Sequence, residues 1–437
     1  MEILLRKDVL ALIIFAVSVV IFVIDKLPMA TTAILGCAAM VIFGVCDFSV
    51  AFGEFASNTV IMLIAIFIVG AAISETGLAK KIGGLITGAS GDSERILLAI
   101  SYLIAAGLST FLSNVTVLAI FIPIIFGIAA TSGGKIDPKN LILPITIASN
   151  MGGITTLVGS SQQMTAQGLL ESYNLKGFSV FDFTPMGLIL IFAGLLFCLF
   201  IGYPIGKKIW GDRETDESDF VLPTDETSDG NRGKMITVSV IFIIMILLYI
   251  FGGIPFTNIV IKPAVTAVIS ALAVICTGCI TQKKAVLAVN WNIVGRLGGC
   301  LGLAKALDAA GSIDLVSKFL GKVGIAKMSP LLIFIIVCVL SEVLSWLISN
   351  STAISVFLLI IIAVSPSLSL NVQAFAMAIT LSASMGACCP LSGSTYGVAM
   401  SAGYRFRDFF KYGIIYDLLC LVLIIIFVPI FFGGITC

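Results

Sequence analysis

Residues 109–116 read Ser-Thr-Phe-Leu-Ser-Asn-Val-Thr, and residues 345–352 read Ser-Trp-Leu-Ile-Ser-Asn-Ser-Thr. Each stretch interrupts an apolar segment, 95–130 or 329–364, that is too long for a single membrane span. A break in mid-membrane leaves backbone amides and carbonyls without partners, and lipid excludes such a break unless it faces protein, water or a ligand. The two stretches therefore predict two re-entrant hairpins with polar tips near the bilayer centre.

The composition of the chain is that of an integral membrane protein. Of its 437 residues, 59% are hydrophobic and only 11% are charged, far from the usage of globular proteins. A formal net charge of +1 provides no basic surface, so we expect no nucleic-acid partner. Histidine is absent, which removes the commonest general base and zinc ligand, so we do not expect an enzyme.

Ten further apolar runs have the length of a membrane span. They fall at about 9–25, 29–46, 59–76, 140–158, 184–206, 236–252, 263–280, 291–307, 372–387 and 411–433. We therefore predict an all-α polytopic membrane protein with about ten transmembrane helices and two re-entrant hairpins.

The polar landmarks of the first half recur in the second half. Asn350 follows Asn114 by 236 residues, and Gly393 follows Gly159 by 234 residues. Each half holds five spans and one hairpin, and since five is odd the second half must enter the membrane inverted. The predicted domains are a first inverted repeat at 1–210 (hairpin 95–130, broken helix 140–172), a cytoplasmic linker at 211–234, and a second inverted repeat at 235–437 (hairpin 329–364, broken helix 372–400).

Lysine and arginine residues in the short loops predict the orientation. With the N-terminus outside, sixteen of them lie in inner loops and seven in outer loops. The asymmetry predicts a multi-pass protein of the cytoplasmic membrane with both termini on the extracytoplasmic side.

A Gly-Ser-Ser or Gly-Ser-Thr sequence, at 159–161 and 393–395, interrupts the apolar span after each hairpin. Broken helices offer free N–H groups that suit an anion and free carbonyls that suit a small cation. For a single tip, close packing of small residues is an equal alternative. Because the tips and breaks recur in both halves, the sequence favours one site at the middle of the membrane that binds both an anion and a small cation.

The chain resembles the divalent anion/sodium symporter family of the ion transporter superfamily. The resemblance is carried by the two tips, the Gly-Gly-Ile-Thr-Thr-Leu-Val-Gly-Ser run at 152–160, the Phe-Asp-Phe-Thr-Pro-Met-Gly run at 181–187, and Trp291 before a glycine-rich span. It implies a secondary active transporter of small divalent or trivalent anions, such as dicarboxylates or citrate, coupled to sodium ions and without an organic cofactor. It also implies a homodimer in the lipid bilayer with elevator-type alternating access.

The resemblance also implies which residues bind each ion. The implied substrate-binding residues are Ser113, Asn114, Ser160, Ser349, Asn350, Ser351, Ser394 and Thr395. The implied sodium ligands are Ser109, Ser113, Asn114, Gly159, Ser345, Ile348 (through its carbonyl), Asn350 and Gly393.

Other functions remain open at this point. A sodium-independent anion exchanger of the same fold would use a fixed positive charge such as Arg296 in place of sodium, and an inorganic oxyanion such as sulfate could be the substrate. A sodium/proton antiporter fits less well, because such proteins need carboxylates at the tips, where Asn114 and Asn350 are neutral.

Overall fold

The computed structural model describes most of the chain, and these residues form helices without any β-strand. The described residues are 6–24, 27–76, 93–132, 136–210, 232–251, 261–312, 315, 328–347, 350–390, 392–400 and 402–436. Of the predicted linker, residues 211–231 lie outside this set.

The helices are numbered here in chain order. In the first half they are α1 (Lys7–Ile24), α2 (Met29–Ile42), α3 (Phe48–Phe52), α4 (Asn58–Glu75), α5 (Glu94–Ser109), α6 (Asn114–Thr131), α7 (Pro138–Gly153), α8 (Ser161–Ser172), α9 (Thr184–Leu196) and α10 (Tyr203–Trp210). In the second half they are α11 (Arg232–Phe251), α12 (Pro263–Cys276), α13 (Gln282–Ala288), α14 (Trp291–Ala309), α15 (Pro330–Leu347), α16 (Asn350–Leu368), α17 (Val372–Ser384), α18 (Ser394–Met400) and α19 (Phe406–Phe431).

Polar side chains fix where several of these helices begin. In five of them the residue before the first turn accepts a hydrogen bond from a backbone amide within that turn, which satisfies one of the free donors of a helix start. These N-caps are Ser93, Asp137, Thr281, Asn290 and Asn371. Each of these polar residues therefore marks the start of a helix.

Within the described ranges, five helices are long and apolar enough to cross a membrane by themselves. They are Arg232–Phe251, Asn350–Leu368, Phe406–Phe431 and two composite helices. Phe48–Ile73 combines α3 with most of α4 through a 3₁₀ segment at Gly53–Ala56. Thr184–Trp210 combines α9 with α10 through a π-helical segment at Phe197–Gly202. The pair α13 and α14, bent by 55°, would make a sixth. The architecture is thus helical and multi-pass, while the count of about ten spans stays a prediction.

Helix ends coincide with the predicted breaks. In the first half, α5 ends at Ser109 four residues before the tip, α6 begins at Asn114, and the next break lies between α7 and α8. In the second half, α15 and α16 are separated at the tip by Ile348 and Ser349, which lie outside the described residues, and the next break lies between α17 and α18. Insertion of the hairpins into the membrane, and the inversion of one repeat, stay predictions.

Packing brings the breaks of each half together. Both α5 and α6 contact α7, and both α15 and α16 contact α17. A Cβ at Gly152 would lie 2.0 Å from the Ala106 carbonyl oxygen, so only glycine allows α5 and α7 to approach this closely. The helix α14 packs on α2 on one side and touches α8 and α16 on the other.

Candidate functional site

The first tip is held by a network of neutral polar groups. Ser109 Oγ donates a hydrogen bond to Asn114 Oδ1 over 2.8 Å, and Asn114 Nδ2 donates to Asn150 Oδ1 over 2.9 Å. Ser149 Oγ lies 3.1 Å from Ser109 Oγ and donates to the Asn114 carbonyl over 2.9 Å. The structure therefore brings the predicted sodium ligands Ser109 and Asn114 into direct contact, and it adds Ser149 and Asn150 from α7.

Glycines let three chain segments converge beside this network. A Cβ at Gly153 would lie 2.2 Å from Asn114 Oδ1, and one at Gly159 would lie 2.3 Å from the Gly153 carbonyl oxygen and 2.9 Å from the Thr110 carbonyl oxygen. Thr156 Oγ1 also donates to the Thr110 carbonyl over 2.8 Å. The predicted sodium ligand Gly159 thus lies where backbone carbonyls gather, which is the kind of ligand a sodium ion takes at a broken helix.

The two remaining predicted residues of the first half differ in their surroundings. Ser113 is exposed and precedes α6 without a side-chain capping bond. Ser160 precedes α8, and its hydroxyl donates to Gln163 Oε1. Gln163 is fully buried, and its Nε2 has no hydrogen-bond partner among the described residues. The start of α8 therefore carries a buried amide donor that the sequence-based site did not include.

The second tip is more deeply buried than the first. Asn350, Ser351 and Thr395 are 7%, 3% and 4% exposed, and within the described part of the chain Asn350 Oδ1 has no hydrogen-bond partner. Ser345, the counterpart of Ser109, donates to the Glu342 carbonyl over 2.7 Å and to the Met385 carbonyl over 3.3 Å. The predicted ligand Ser345 therefore joins the hairpin to the end of α17.

The second break is not a copy of the first. Among the described residues, only Tyr396 Cδ2, at 4.0 Å, would come within reach of a Cβ at Gly393, so the described part of the chain does not crowd Gly393 as it crowds Gly159. The close approach here is at Gly386, whose φ is +157° and whose Cβ would lie 2.4 Å from Ser392 Oγ. Ser394 is the first residue of α18.

An acidic residue absent from the sequence-based site holds the second break. Asp417 of α19 is fully buried, and its two carboxylate oxygens accept hydrogen bonds from the backbone amides of Ala387 at 3.0 Å and Cys388 at 2.9 Å. A Cβ at Gly413 would lie 2.2 Å from the Ala387 carbonyl oxygen, so α19 lies directly on the break. An acid inside an otherwise apolar helix is a signal for function, and it could have identified Asp417 from the sequence.

Neutral groups hold the corresponding break of the first half. Thr184 Oγ1 donates to the Thr155 carbonyl over 2.8 Å, and the Leu157 amide donates to the Val180 carbonyl over 2.8 Å. A second acid, Glu342 of α15, is 2% exposed and has one carboxylate oxygen without a partner in the described ranges. Two buried acidic side chains, Asp417 and Glu342, are therefore found beside the second break.

Two cations lie on the face of α14 that touches α8. Arg296 is half-buried, and its Nη2 donates to Ser161 Oγ at 3.5 Å, at the start of α8. Lys305 Nζ donates to the Ser172 carbonyl, at the end of α8. The positive charge of Arg296 thus lies at the N-terminus of a broken helix.

The sequence matches a known family over nearly its whole length. A family model described as citrate transporter matches residues 19–380 and 260–435. The chain belongs to the citrate transporter family. This match confirms the resemblance to the divalent anion/sodium symporters of the ion transporter superfamily.

The chain also matches individual curated proteins. The chain is 35% identical over 188 residues to an uncharacterized transporter of Synechocystis sp., covering 43% of this chain and 30% of that protein. It is 22% identical over 382 residues to the sodium-dependent high-affinity dicarboxylate transporter 3 of Caenorhabditis elegans, covering 76% and 67%. The chain spans about a third of the length of several curated relatives that it matches.

A solved membrane protein has a similar fold. MtrF of Neisseria gonorrhoeae aligns with a TM-score of 0.61 over 89% of this chain and 83% of its own, at 12% identity. At this identity the likeness shows the fold alone, and it confirms an all-α polytopic membrane architecture.

Proposed function

We propose that this citrate-transporter-family protein is a sodium-coupled secondary transporter of small divalent or trivalent carboxylates, including citrate, in the cytoplasmic membrane. The observation that carries the proposal is the contact of Ser109 with Asn114 over 2.8 Å at the first tip. The surrounding groups, Ser149, Asn150 and the carbonyls near Gly159, are neutral oxygen donors. Neutral oxygens can bind sodium without repelling an anion nearby.

The helix starts support the anion half of the proposal. Helices α6, α8 and α16 all begin at breaks, and the N-terminus of a helix presents free N–H groups and a partial positive charge. Sodium at the first tip would stabilise an anion next to it, since opposite unit charges about 4 Å apart gain roughly 4 kcal/mol at an effective dielectric of 20. This coupling is reciprocal, so each ion raises the affinity for the other by the same factor.

The larger-scale mechanism is proposed from family resemblance. We infer a homodimer in which a mobile domain carrying the breaks moves as an elevator against a fixed scaffold. Mass measurement in detergent, with cross-linking in membranes, tests the dimer: a monomer in both would refute it.

A sodium-independent anion exchanger is the second candidate. The observation that favours it is the positive charge of Arg296 beside the start of α8. In that case the fixed positive charge of Arg296 would stabilise the bound anion in place of a sodium ion. An inorganic oxyanion such as sulfate is the alternative substrate.

Thermal unfolding of the purified protein separates these candidates, because a ligand that binds the folded state raises the unfolding temperature. Citrate, succinate and sulfate are each added in sodium chloride and in choline chloride. Stabilisation by a carboxylate in sodium only supports the proposal. Equal stabilisation in choline supports the exchanger, stabilisation by sulfate alone supports the oxyanion transporter, and no response to any anion refutes all three.

A further inference from the structure

The side chain of Arg296 holds a positive charge inside the membrane region without an acidic partner in the described part of the chain. The ion pairs found there are Arg6 with Asp8, Lys207 with Glu94 and Lys284 with Glu75. Among the described residues, the hydrogen-bond partner of the guanidinium is Ser161 Oγ, at 3.5 Å. An intramembrane cation is costly, so an unpaired one indicates a site for an anion.

The position of Arg296 is fixed by two contacts between α14 and α8. Arg296 touches Ser161 at the start of α8, and Lys305 touches Ser172 at its end. The two pairs are spaced about 14 Å apart along α14 and about 17 Å along α8, at 1.5 Å per residue. The helices therefore run side by side in the same direction, and Arg296 lies level with the first turn of α8.

The first turn of α8 has free donors. No side chain caps it, so its first amides have no intrahelical partner. Gln163, the third residue of this helix, is 0% exposed, and its Oε1 accepts the Ser160 hydroxyl. Because Ser160 directly precedes the helix, that contact turns the amide group of Gln163 back over the helix start. Its Nε2, which lacks a partner among the described residues, is therefore a buried free donor in the first turn of the same helix.

Helix α16, which begins at the second tip, also touches α14. Cys300, one turn after Arg296 on α14, contacts Ser355 of α16. Ser355 Oγ in turn donates over 2.9 Å to the carbonyl of Ser351, in the first turn of α16. Arg296 therefore lies at the start of α8 and one turn of α14 away from the contact with α16.

We infer that Arg296, the first turn of α8 and the Gln163 amide form a subsite for one carboxylate of the substrate, in addition to the carboxylates bound at the tips. A guanidinium binds a carboxylate with two parallel hydrogen bonds, which an ammonium cannot reproduce. The subsite makes the protein select tricarboxylates over dicarboxylates. This inference rests on the proposed transport of carboxylates and specifies which of them is preferred.

The test compares citrate and succinate binding to purified full-length protein in sodium buffer at pH 8, by isothermal calorimetry. We expect Arg296→Gln to weaken citrate binding about tenfold or more, as for loss of one charge-assisted bidentate contact, and to change succinate binding less than about twofold. Arg296→Lys should give an intermediate loss for citrate, because the charge stays and the fork is lost. Gln163→Leu should likewise weaken citrate binding more than succinate binding.

Lys305→Gln is the matched control. It removes one positive charge from the same face of α14 at the other end of α8, so both affinities should stay at wild-type values. An unchanged ratio of citrate to succinate affinity in Arg296→Gln overturns the subsite, as does an equal loss of both anions. If Arg296→Gln does not fold, the ratios in Arg296→Lys and Gln163→Leu decide in the same way. Wild-type protein that binds neither anion would refute the proposed function itself, which is a different result from an unchanged ratio.

Discussion

The Asp417 carboxylate accepts a hydrogen bond from the Cys388 backbone amide over 2.9 Å, so an acid on α19 satisfies a free amide in the break between α17 and α18. In the first half the equivalent task is done by Thr184, whose hydroxyl donates to the Thr155 carbonyl. One half therefore satisfies free amides with a charge, and the other satisfies a free carbonyl with a neutral group. The two halves share landmarks in sequence but differ in how their breaks are stabilised.

Replacing Asp417 by Asn should destabilise the second break. An amide side chain has one acceptor oxygen, so one of the two backbone amides now accepted at 3.0 and 2.9 Å loses its partner in a buried position. Such a loss costs about 1–3 kcal/mol. We expect a lower unfolding temperature and reduced citrate uptake in vesicles.

The control for Asp417 is Asp182→Asn. Asp182 is exposed and accepts one backbone amide, that of Ser179, over 2.8 Å. Because the group is in water, its replacement should change stability by less than about 0.5 kcal/mol. A wild-type unfolding temperature in Asp417→Asn would contradict the role of Asp417 in stabilising the second break.

The sequence was sufficient for the fold class and for the positions of the breaks. Continuous apolar runs have few alternatives to membrane helices, and the asparagine of each Ser-Asn tip is the first residue of a helix, α6 or α16. Asp417 was missed because its role depends on α19 crossing the break thirty residues earlier in the chain. Gly393 was assigned by its repeat spacing from Gly159, yet spacing cannot show which glycine of a break meets a neighbouring backbone.

The two asparagines at the tips provide the test of the substrate site. Asn114→Ala and Asn350→Ala should each reduce uptake at least about a hundredfold. Each change removes one polar side chain that we propose binds the substrate, and a ligand group that loses its partner in a binding site weakens binding strongly. Expression should stay near wild type, which a size-exclusion profile with fluorescence detection would show. Uptake at the wild-type rate in either variant would contradict the assignment.

Ser109→Ala should weaken the sodium response more than it weakens substrate binding at saturating sodium. The hydroxyl contacts Asn114 Oδ1 and Ser149 Oγ, so its removal takes away one proposed oxygen ligand of the cation. Ser101→Ala is the control, because Ser101 is equally buried on α5 and its hydroxyl has no hydrogen-bond partner among the described residues. We would measure sodium dependence of citrate binding. The same sodium midpoint in all three proteins would exclude Ser109 as a ligand.

The orientation predicted from the loop charges can be tested by labelling. A cysteine is introduced at Ser218 of the 211–234 linker in a background without the eleven native cysteines. With the linker in the cytoplasm, a membrane-impermeant thiol reagent should label this cysteine in lysed cells and not in intact cells. Equal labelling in intact and lysed cells would show that the linker is outside the cell, which is the opposite orientation.

Alanine substitutions at Gly159 and Gly393 distinguish the two breaks. A Cβ at position 159 would lie 2.3 Å from the Gly153 carbonyl oxygen and 2.9 Å from the Thr110 carbonyl oxygen. Both are backbone atoms that cannot move aside. Overpacking of this kind costs typically about 1–3 kcal/mol, so Gly159→Ala should lower the unfolding temperature and the sodium-dependent uptake together. At Gly393 the nearest atom of the described residues is 4.0 Å from the added Cβ, and Gly393→Ala should keep at least about half of the wild-type uptake, as expected for a change without a steric clash. Both variants are measured in the same vesicle assay at matched protein amounts. Equal loss in the two would show that the breaks are equivalent, as their spacing in the sequence suggests, and would contradict the asymmetry between Gly159 and Gly393.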